Sequence, residues 1–253
     1  MNLPPSLLDV LQPCPCCRAE GSLADFEQTR QIDGSPTRLL ICRACLALLD
    51  LGSYADIDTG DPAAAQAGDY YEVGALSAEE HLASIAGAEE NILGYLLRRT
   101  SLDPQPRVFC EIGAGRGYAA LAAARRFTSA YALDFDLRHI TAVANQIGWP
   151  ANLHIGRALQ DVDAKIDVLM GWHALEHIPQ PLTFLEDARS RMNPGGYLFF
   201  QVPLFRPAYL VKSHYVFYNE AAMRSLMTRA GMNVIEIGFD EVNGFLTVIA
   251  QNP

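Results

Sequence analysis

The stretch from Val108 to Arg126, VFCEIGAGRGYAALAAARR, decides the fold of this chain. It begins with a short apolar segment, continues through a glycine-rich turn and ends in a run of small residues typical of a packed helix. Glycines let the backbone turn sharply and leave space for a ligand against the main chain. The pattern therefore predicts a strand, a turn that binds a nucleoside cofactor, and a helix in direct succession.

The spacing within this turn differs from that of a dinucleotide site. Glu111, Gly113, Gly115 and Gly117 form E-x-G-x-G-x-G, whereas the dinucleotide fingerprint is G-x-G-x-x-G with a pyrophosphate at the helix N-terminus. The acid that precedes the first glycine would repel a phosphate and suits an ammonium group. Taken alone, the glycines are equally compatible with a tight strand-to-helix turn that binds no ligand.

The turn resembles the first motif of the class I S-adenosylmethionine-dependent methyltransferases, and the resemblance covers roughly residues 70 to 250. It implies that Asp134, at the end of the next apolar segment, accepts hydrogen bonds from the two ribose hydroxyls of the cofactor. The cofactor-binding residues that the resemblance implies are Glu111, Gly113, Ala114, Gly115, Gly117, Asp134, Phe135, Leu159 and Gly171.

Strand and helix patterns alternate after the turn. Strands are predicted at 131–133, 152–155, 166–171 and 197–202, and helices at 137–147 and 181–192. Alternation of this kind indicates a parallel sheet with helices on both faces. With the closing antiparallel hairpin usual in the family, the expected fold class is α/β. It is a doubly wound, mostly parallel seven-stranded sheet preceded by a small β module.

Four of the six cysteines form two pairs, Cys14-x-x-Cys17 and Cys42-x-x-Cys45, with 24 residues between the pairs. The spacing resembles that of a zinc ribbon, in which four thiolates converge on one structural Zn²⁺. Between the pairs, two short apolar strands separated by turn residues predict a hairpin. Disulfides are the alternative, and a cytoplasmic compartment disfavours them. Cys16 could replace Cys14 or Cys17, although it breaks the two-residue spacing.

The chain divides into three segments. Residues 1–55 form the predicted zinc-ribbon-like module, and residues 56–68, rich in Ala, Gly, Asp and Pro without periodicity, form a linker. Residues 69–253 form the predicted S-adenosylmethionine-binding domain. Ser77 and Glu80 have the spacing of a capping box, which predicts the start of a helix that covers the cofactor.

The segment after the fourth predicted strand of the large sheet carries the candidate chemistry. His173, Glu176 and His177 form H-x-x-E-H, which on a helix would place three side chains on one face. Three interpretations remain open: the histidines brace the fold, His173 or His177 is a general base oriented by Glu176, or the cluster binds a metal. A similar cluster in ubiquinone-pathway O-methyltransferases holds a divalent cation. The extra imidazole here would favour Zn²⁺ or Fe²⁺ over Mg²⁺. His214 is a candidate second base or fourth ligand.

Three tyrosines are candidate substrate contacts. Tyr70 and Tyr71 precede the capped helix, where related small-molecule methyltransferases have tyrosines that border the active site. Packing of the linker on the core explains the same pair equally well. Tyr215 lies in the segment after the fifth predicted strand of the large sheet, which usually closes the substrate pocket in the family.

Composition limits the function classes. The 253 residues are 50% hydrophobic, enough for a large core. They include no stretch of 18 uninterrupted apolar residues, and the N-terminus lacks the features of a secretory signal, so a cytoplasmic protein is expected. A formal charge of −10 with only two lysines argues against a large nucleic-acid interface. A homodimer is compatible with the sequence.

The combined pattern predicts methyl transfer from S-adenosylmethionine to a small-molecule acceptor, such as a natural-product or sugar-like intermediate, with a histidine base. One alternative is a cofactor-binding or metal-dependent enzyme that uses His173, Glu176 and His177 for other chemistry. A second alternative is an RNA methyltransferase guided by the zinc module, although neither the basic surface nor the catalytic motifs of that class occur in the sequence.

Overall fold

The computed structural model describes residues 11–55 and 76–253. The predicted linker at 56–68, Tyr70 and Tyr71 therefore lie outside the described residues. The strands are β1 Leu23–Arg30, β2 Pro36–Cys42, β3 Leu48–Asp50, β4 Val108–Ile112, β5 Ser129–Leu133, β6 Leu153–Gly156, β7 Ile166–Trp172, β8 Met192–Pro203, β9 Val216–Phe217, β10 Asn233–Asp240 and β11 Phe245–Gln251. The α-helices are α1 Leu51–Ala55, α2 Ala78–Ala88, α3 Gly94–Thr100, α4 Tyr118–Ala123, α5 Arg138–Ile147, α6 Pro181–Arg191 and α7 Glu220–Arg229.

The large sheet has seven strands in the order β10-β11-β8-β7-β4-β5-β6. Five adjacent strands run parallel to one another, namely β8, β7, β4, β5 and β6. β11 runs antiparallel to both β8 and β10. This arrangement confirms the predicted α/β class, including the mostly parallel sheet and the closing hairpin. Within the described residues, no helix is long and apolar enough to cross a membrane.

The core lies on both faces of the large sheet because side chains alternate along each strand. On β4, Phe109 belongs to the cluster on one face and packs against Phe127 with ring centroids 5.3 Å apart. Cys110, the next residue, belongs to the cluster on the other face. Burial raises the pKa of the Cys110 thiol far above its ordinary range, so this cysteine is an inert part of the core.

The predicted capping box opens α2. The Ser77 hydroxyl accepts a hydrogen bond from the Glu80 N–H, and the Glu80 carboxylate accepts one from the Ser77 N–H at 2.8 Å. A π-helical turn at Glu89–Leu93 joins α2 to α3, so the two form one continuous helical segment. Residues of α2 and of this turn border the cavity described below, where the sequence predicted a covering helix.

The small sheet has the order β1-β2-β3-β9, with every pair antiparallel. The predicted hairpin between the cysteine pairs is formed by β1 and β2. The fourth strand, β9, comes from the segment between β8 and α7 of the large domain. The N–H of Asp50 at the end of β3 donates to the Tyr215 carbonyl at 3.0 Å, next to β9. The N-terminal module is therefore completed by the large domain.

The last glycine of the turn is required for packing. Gly117 has φ of 71°, and a Cβ added to it would lie 2.2 Å from Cδ1 of Ile140 on α5. We expect Gly117→Ala to lower the free energy of unfolding by about 2 to 4 kcal/mol, from backbone strain and overpacking together. Urea unfolding measures this loss.

Gly195→Ala is the matched control for Gly117→Ala. Gly195 has φ of 78° and no atom within 4 Å of an added Cβ, so only the backbone strain remains. We expect a loss of about 1 to 2 kcal/mol. Equal losses for the two variants would contradict the packing role of Gly117.

Candidate functional site

A cavity of about 1330 Å³ opens at the carboxyl ends of β4, β5 and β7. This is the edge at which open parallel sheets bind ligands. Residues that follow all three strands border it, together with the segment between β8 and α7. The cavity therefore reaches from the glycine-rich turn to the histidine cluster without interruption.

The turn after β4 and the end of β5 are joined by backbone hydrogen bonds. The Gly115 N–H donates to Oδ2 of Asp134 at 2.8 Å, and the Asp136 N–H donates to Oδ1 at 2.9 Å. Each carboxylate oxygen can accept a second bond. Asp134 borders the cavity and is held in a fixed orientation, which suits a pair of hydroxyl donors.

Glu111 lies at the end of β4 and beneath the turn. It is 5% exposed, and its Oε2 accepts a hydrogen bond from the Ala120 N–H at 2.9 Å. Burial and, to a lesser extent, the nearby Asp134 raise the pKa of Glu111 to about 8. Because both acids border the cavity, a cationic group bound between them would offset the cost of ionising Glu111.

Apolar side chains also contribute to this end. Ala114, Phe135 and Leu159, which the sequence predicts as cofactor contacts, border the cavity. Oδ2 of Asp161 accepts a hydrogen bond from the Arg157 N–H at 2.6 Å and so closes the loop after β6.

Two of the predicted cofactor glycines lie outside the cavity lining. Gly117 packs against α5, and a Cβ on Gly171 would lie 2.4 Å from Cε1 of Phe200 on the neighbouring strand. The absence of a side chain at both positions is explained by close packing of two elements. The prediction that Gly117 and Gly171 also contact the cofactor stays a prediction.

The H-x-x-E-H segment does not form an α-helix, so the shared helix face considered from the sequence does not arise. His173 has φ of 54°, in the left-handed region, and its N–H donates to the Gln201 carbonyl at 2.9 Å. Only Leu175–His177 forms a short 3₁₀ turn. The strand end fixes the His173 backbone against β8, so the three side chains do not follow a helix face. A non-glycine residue at positive φ is a strained conformation of the kind found at functional sites.

His173 is the most accessible member of the cluster. Its side chain is 35% exposed, and its Nδ1 lies 3.6 Å from Oε1 of Glu176. This separation is too long for a hydrogen bond and short enough for electrostatic orientation. The ring meets Phe245 edge-on, with centroids 4.6 Å apart.

Glu176 and His214, both buried, lie beside the half-buried His177. Their ligand-capable atoms all lie within 4.8 Å of one another. Glu176 is 1% exposed, and neither of its carboxylate oxygens has a hydrogen-bond partner. The Nδ1 atom of His214 is also buried without a partner. His173 is not part of this three-residue group, and His214, predicted as an additional ligand, takes its place.

Contacts with Ser213 fix the tautomer of His177. Its Nδ1 lies 3.0 Å from the Ser213 carbonyl oxygen and 3.1 Å from the Ser213 hydroxyl. Because a carbonyl only accepts, Nδ1 carries the proton and Nε2 keeps a lone pair. Burial lowers the pKa of His177, and burial together with His177 lowers the pKa of His214 to about 4.

The N-terminal module contacts the end of the cavity that contains the histidine cluster. Tyr215, a predicted substrate residue, borders the cavity and packs against Tyr54 of α1 with ring centroids 5.1 Å apart. The Tyr54 hydroxyl donates to the Pro179 carbonyl at 2.8 Å, close to the cluster in sequence.

The four predicted metal cysteines converge. Sγ of Cys14 and Cys45 are 3.9 Å apart, and Sγ of Cys17 and Cys42 are 3.6 Å apart. Four thiolates around one Zn²⁺ at Zn–S of about 2.3 Å have S···S separations of about 3.8 Å. All four side chains are buried, so the residues present fit a structural Zn²⁺. Cys16 lies outside the four-residue group.

Sequence reasoning missed several cavity residues. Ser213, which fixes His177, and the ring of Phe245, which meets His173, both border the cavity. Neither lies in a motif, and both reach the site through the fold of the last third of the chain. No local signal in the sequence identifies them.

A family model described as a methyltransferase domain matches residues 86–237. The chain belongs to this methyltransferase family. This confirms the predicted family, and the match includes the glycine-rich turn, Asp134 and the H-x-x-E-H segment. Among curated relatives of the methyltransferase, the ubiquinone biosynthesis O-methyltransferase of Parvibaculum lavamentivorans is 28% identical over 96 residues, which are 36% of this chain. The match spans only 38% of that relative's length.

Solved structures share the methyltransferase fold. An S-adenosylmethionine-dependent methyltransferase from Mesorhizobium loti has a TM-score of 0.53 and 15% identity, over 66% of this chain and 99% of the other. The cyclase SpnF has a TM-score of 0.54 and 14% identity, over 65% of this chain and 80% of the other. At these identities the likeness establishes the fold alone.

Proton release on cofactor binding tests the placement of Glu111. A carboxyl with a pKa of about 8 is mostly protonated at pH 7, and a bound ammonium beside it lowers that pKa. We expect binding of S-adenosylmethionine to the methyltransferase at pH 7 to release close to one proton. Calorimetry in two buffers of different ionisation enthalpy measures it. Glu111→Gln should release none, and equal binding enthalpies in both buffers for the unmodified protein would refute the expectation.

Proposed function

We propose that this chain transfers the methyl group of S-adenosylmethionine to a small-molecule acceptor. The observation that carries the proposal is the continuous cavity, which joins a hydroxyl-binding acid at one end to a histidine cluster at the other. The family assignment supports methyl transfer as the reaction class.

The first end of the cavity suits the cofactor. Asp134, fixed by the Gly115 and Asp136 N–H groups, would accept from the ribose hydroxyls. Glu111 would lie near the ammonium group, and Phe135 would cover the apolar base. When bound, S-adenosylmethionine supplies an activated methyl group, because its sulfonium carries a positive charge. The residues around it then contribute mainly alignment and exclusion of water.

The other end suits the acceptor. His173 projects the most accessible imidazole of the cluster, and Glu176 lies 3.6 Å from its Nδ1. We assign His173 as the general base for a protonated nucleophile and Glu176 as the group that orients it. Tyr215 and Phe245 add ring surfaces to this end, which favours a small organic acceptor with an apolar part.

The charge of the chain also favours a small acceptor over RNA. The formal charge is −10, and residues 1–50 contain four arginines against six acids. An RNA-guiding module needs clustered cations to bind phosphates. The module therefore has the wrong balance of charge for that task.

Two substitutions test the roles of the two ends of the cavity independently. Asp134→Ala is expected to weaken S-adenosylmethionine binding by about 1 to 3 kcal/mol, because charge-assisted hydrogen bonds are lost. His173→Ala is expected to leave that affinity unchanged and to lower turnover by about 100-fold or more. Calorimetry gives the affinity. Consumption of the labelled cofactor in a screen of hydroxyl, amine and thiol acceptors gives the turnover.

Two exposed residues outside the cavity lining serve as controls. Asp163→Ala and His154→Ala remove the same side-chain types and are expected to change neither quantity. An unchanged affinity in Asp134→Ala would contradict the ribose assignment. Full turnover in His173→Ala would remove this histidine from the mechanism. Tight cofactor binding with no methylated product from any acceptor would favour a use of the site other than methyl transfer.

We also propose that the four clustered cysteines bind one Zn²⁺, whose role is to hold the acceptor end of the cavity. A reducing cytoplasmic compartment keeps such thiols available. β3 of the module pairs with β9 of the large domain, and the ring of Tyr54 packs on the ring of Tyr215. The cofactor end is built from β4 and β5 and makes no use of the module.

Loss of this metal should therefore affect the two ends differently. We expect Cys42→Ser to lose zinc and to raise the KM for the acceptor by about tenfold or more through loss of orientation. S-adenosylmethionine affinity should change by less than about twofold, which is below the free energy of one hydrogen bond. Elemental analysis, steady-state kinetics and calorimetry measure the three quantities.

The neighbouring cysteine provides the control for Cys42→Ser. Cys16→Ser changes a buried cysteine of the same module that is not among the four clustered thiols. It should retain one zinc per chain and the acceptor KM. An equal loss of cofactor affinity and acceptor affinity in Cys42→Ser would show that the module stabilises the whole fold instead.

A further inference from the structure

The buried carboxylate of Glu176 is the most unusual polar group in the described part of the chain. It is 1% exposed, and both oxygens lack a hydrogen-bond partner. A buried carboxylate without partners is strongly unfavourable, so such a group in a native protein is normally paired with a cation or bound to a metal. The described residues include no arginine or lysine within salt-bridge distance of it, and Nδ1 of His173 lies 3.6 Å from its Oε1.

The two imidazoles beside this carboxylate face it as lone-pair donors. Nδ1 of His177 donates to the Ser213 carbonyl at 3.0 Å, which leaves Nε2 as the donor of an electron pair. A backbone carbonyl that fixes the tautomer in this way is the usual support of a metal-binding histidine. Nδ1 of His214 is buried with no partner of its own. One carboxylate and two imidazoles thus have ligand atoms within 4.8 Å of one another.

We infer that Glu176, His177 and His214 bind one divalent transition-metal ion at the acceptor end of the cavity. Two nitrogen ligands and one carboxylate select ions such as Fe²⁺, Co²⁺ or Zn²⁺ over Mg²⁺ or Ca²⁺, which prefer all-oxygen shells. Ligand atoms around one such ion lie roughly 3 to 3.5 Å apart. Small rotations of the three side chains therefore close the site.

Three protein ligands leave open positions on the ion. All three residues border the cavity, so the open positions face the acceptor. This extension rests on the proposed methyl transfer, and it assigns the acceptor class as an oxygen ligand such as a hydroxyl or enol. The metal would lower the pKa of an acceptor hydroxyl held there, and His173 would take that proton as the oxygen attacks the methyl carbon. The C–S bond breaks, and its electron pair stays on sulfur, leaving a neutral thioether.

The site differs from the four-cysteine centre in chemistry, and this difference makes it measurable. The cysteine centre uses four buried thiolates, which give cobalt intense sulfur-to-metal charge-transfer absorption. A site with nitrogen and oxygen ligands gives cobalt only weak ligand-field bands. Cobalt added to the full chain with zinc retained in the cysteine centre therefore reports on the second site alone.

The experiment titrates Co²⁺ into the zinc-loaded full-length protein and follows visible absorption and thermal unfolding. We expect ligand-field bands that saturate at one cobalt per chain without sulfur charge transfer, and a rise in the unfolding temperature. Glu176→Gln and His214→Ala are each expected to weaken cobalt binding by more than about tenfold. His154→Ala, an exposed histidine outside the cavity lining, should bind like the unmodified protein.

Folding of the variants is controlled in two ways. Calorimetric affinity for S-adenosylmethionine should be retained in Glu176→Gln and His214→Ala, since the cofactor end lies on β4 and β5. Cobalt should raise the unfolding temperature of the unmodified protein and leave that of Glu176→Gln unchanged. A merely structural role of Glu176 would change the unfolding temperature without any dependence on cobalt.

The outcomes separate this inference from the proposed function. Absence of cobalt bands, or bands that persist unchanged in Glu176→Gln and His214→Ala, would overturn the metal site and leave methyl transfer intact. Cobalt binding by the three residues together with no S-adenosylmethionine binding would uphold the metal site and overturn the proposed function. Metal-independent turnover would refute the oxygen-ligand acceptor class alone.

Discussion

The hydrogen bond from the Gly115 N–H to the Asp134 carboxylate joins the turn after β4 to the end of β5, at the edge of the large sheet where ligands bind. The turn that makes this bond contains three consecutive odd-numbered glycines at positive φ, from Gly113 to Gly117. Such a path is costly for any residue with a Cβ. Once the turn is fixed, α4 begins directly after β4, and the neighbouring parallel strands present their carboxyl ends to one cavity.

The two ends of that cavity differ in whether their polar side chains already have hydrogen-bond partners. The cofactor end is preorganised, because the N–H groups of Gly115 and Asp136 donate hydrogen bonds to the Asp134 carboxylate and fix its orientation. The acceptor end holds unsatisfied groups, with the partnerless Glu176 carboxylate beside His214 and a strained His173 backbone. Rigid satisfied groups suit a ligand shared by a whole family, whereas unsatisfied groups are stable only when something else binds them.

The N-terminal module contributes to the acceptor end through an exchange of strands. β9 belongs to the large domain in sequence and to the small sheet in hydrogen bonding. The segment that carries His214 and Tyr215 is therefore held on one side by β3 and on the other by the Glu176 carbonyl, which accepts from the Tyr215 N–H at 2.8 Å. This arrangement gives the N-terminal cysteine module a structural role beside the methyltransferase domain.

The sequence by itself determined the parts that depend on local pattern. The order of strands and helices follows from the alternating apolar segments, the turn after β4 from E-x-G-x-G-x-G, and the N-terminal module from the paired cysteines. Each of these patterns acts between neighbours in the chain. Only the tertiary structure decided that His214 joins Glu176 and His177 while His173 stays apart, that Gly117 and Gly171 serve packing, and that β9 completes the small sheet. These outcomes depend on contacts between segments far apart in sequence. At such contacts, the direction of a side chain depends on the backbone of a segment that is distant in sequence.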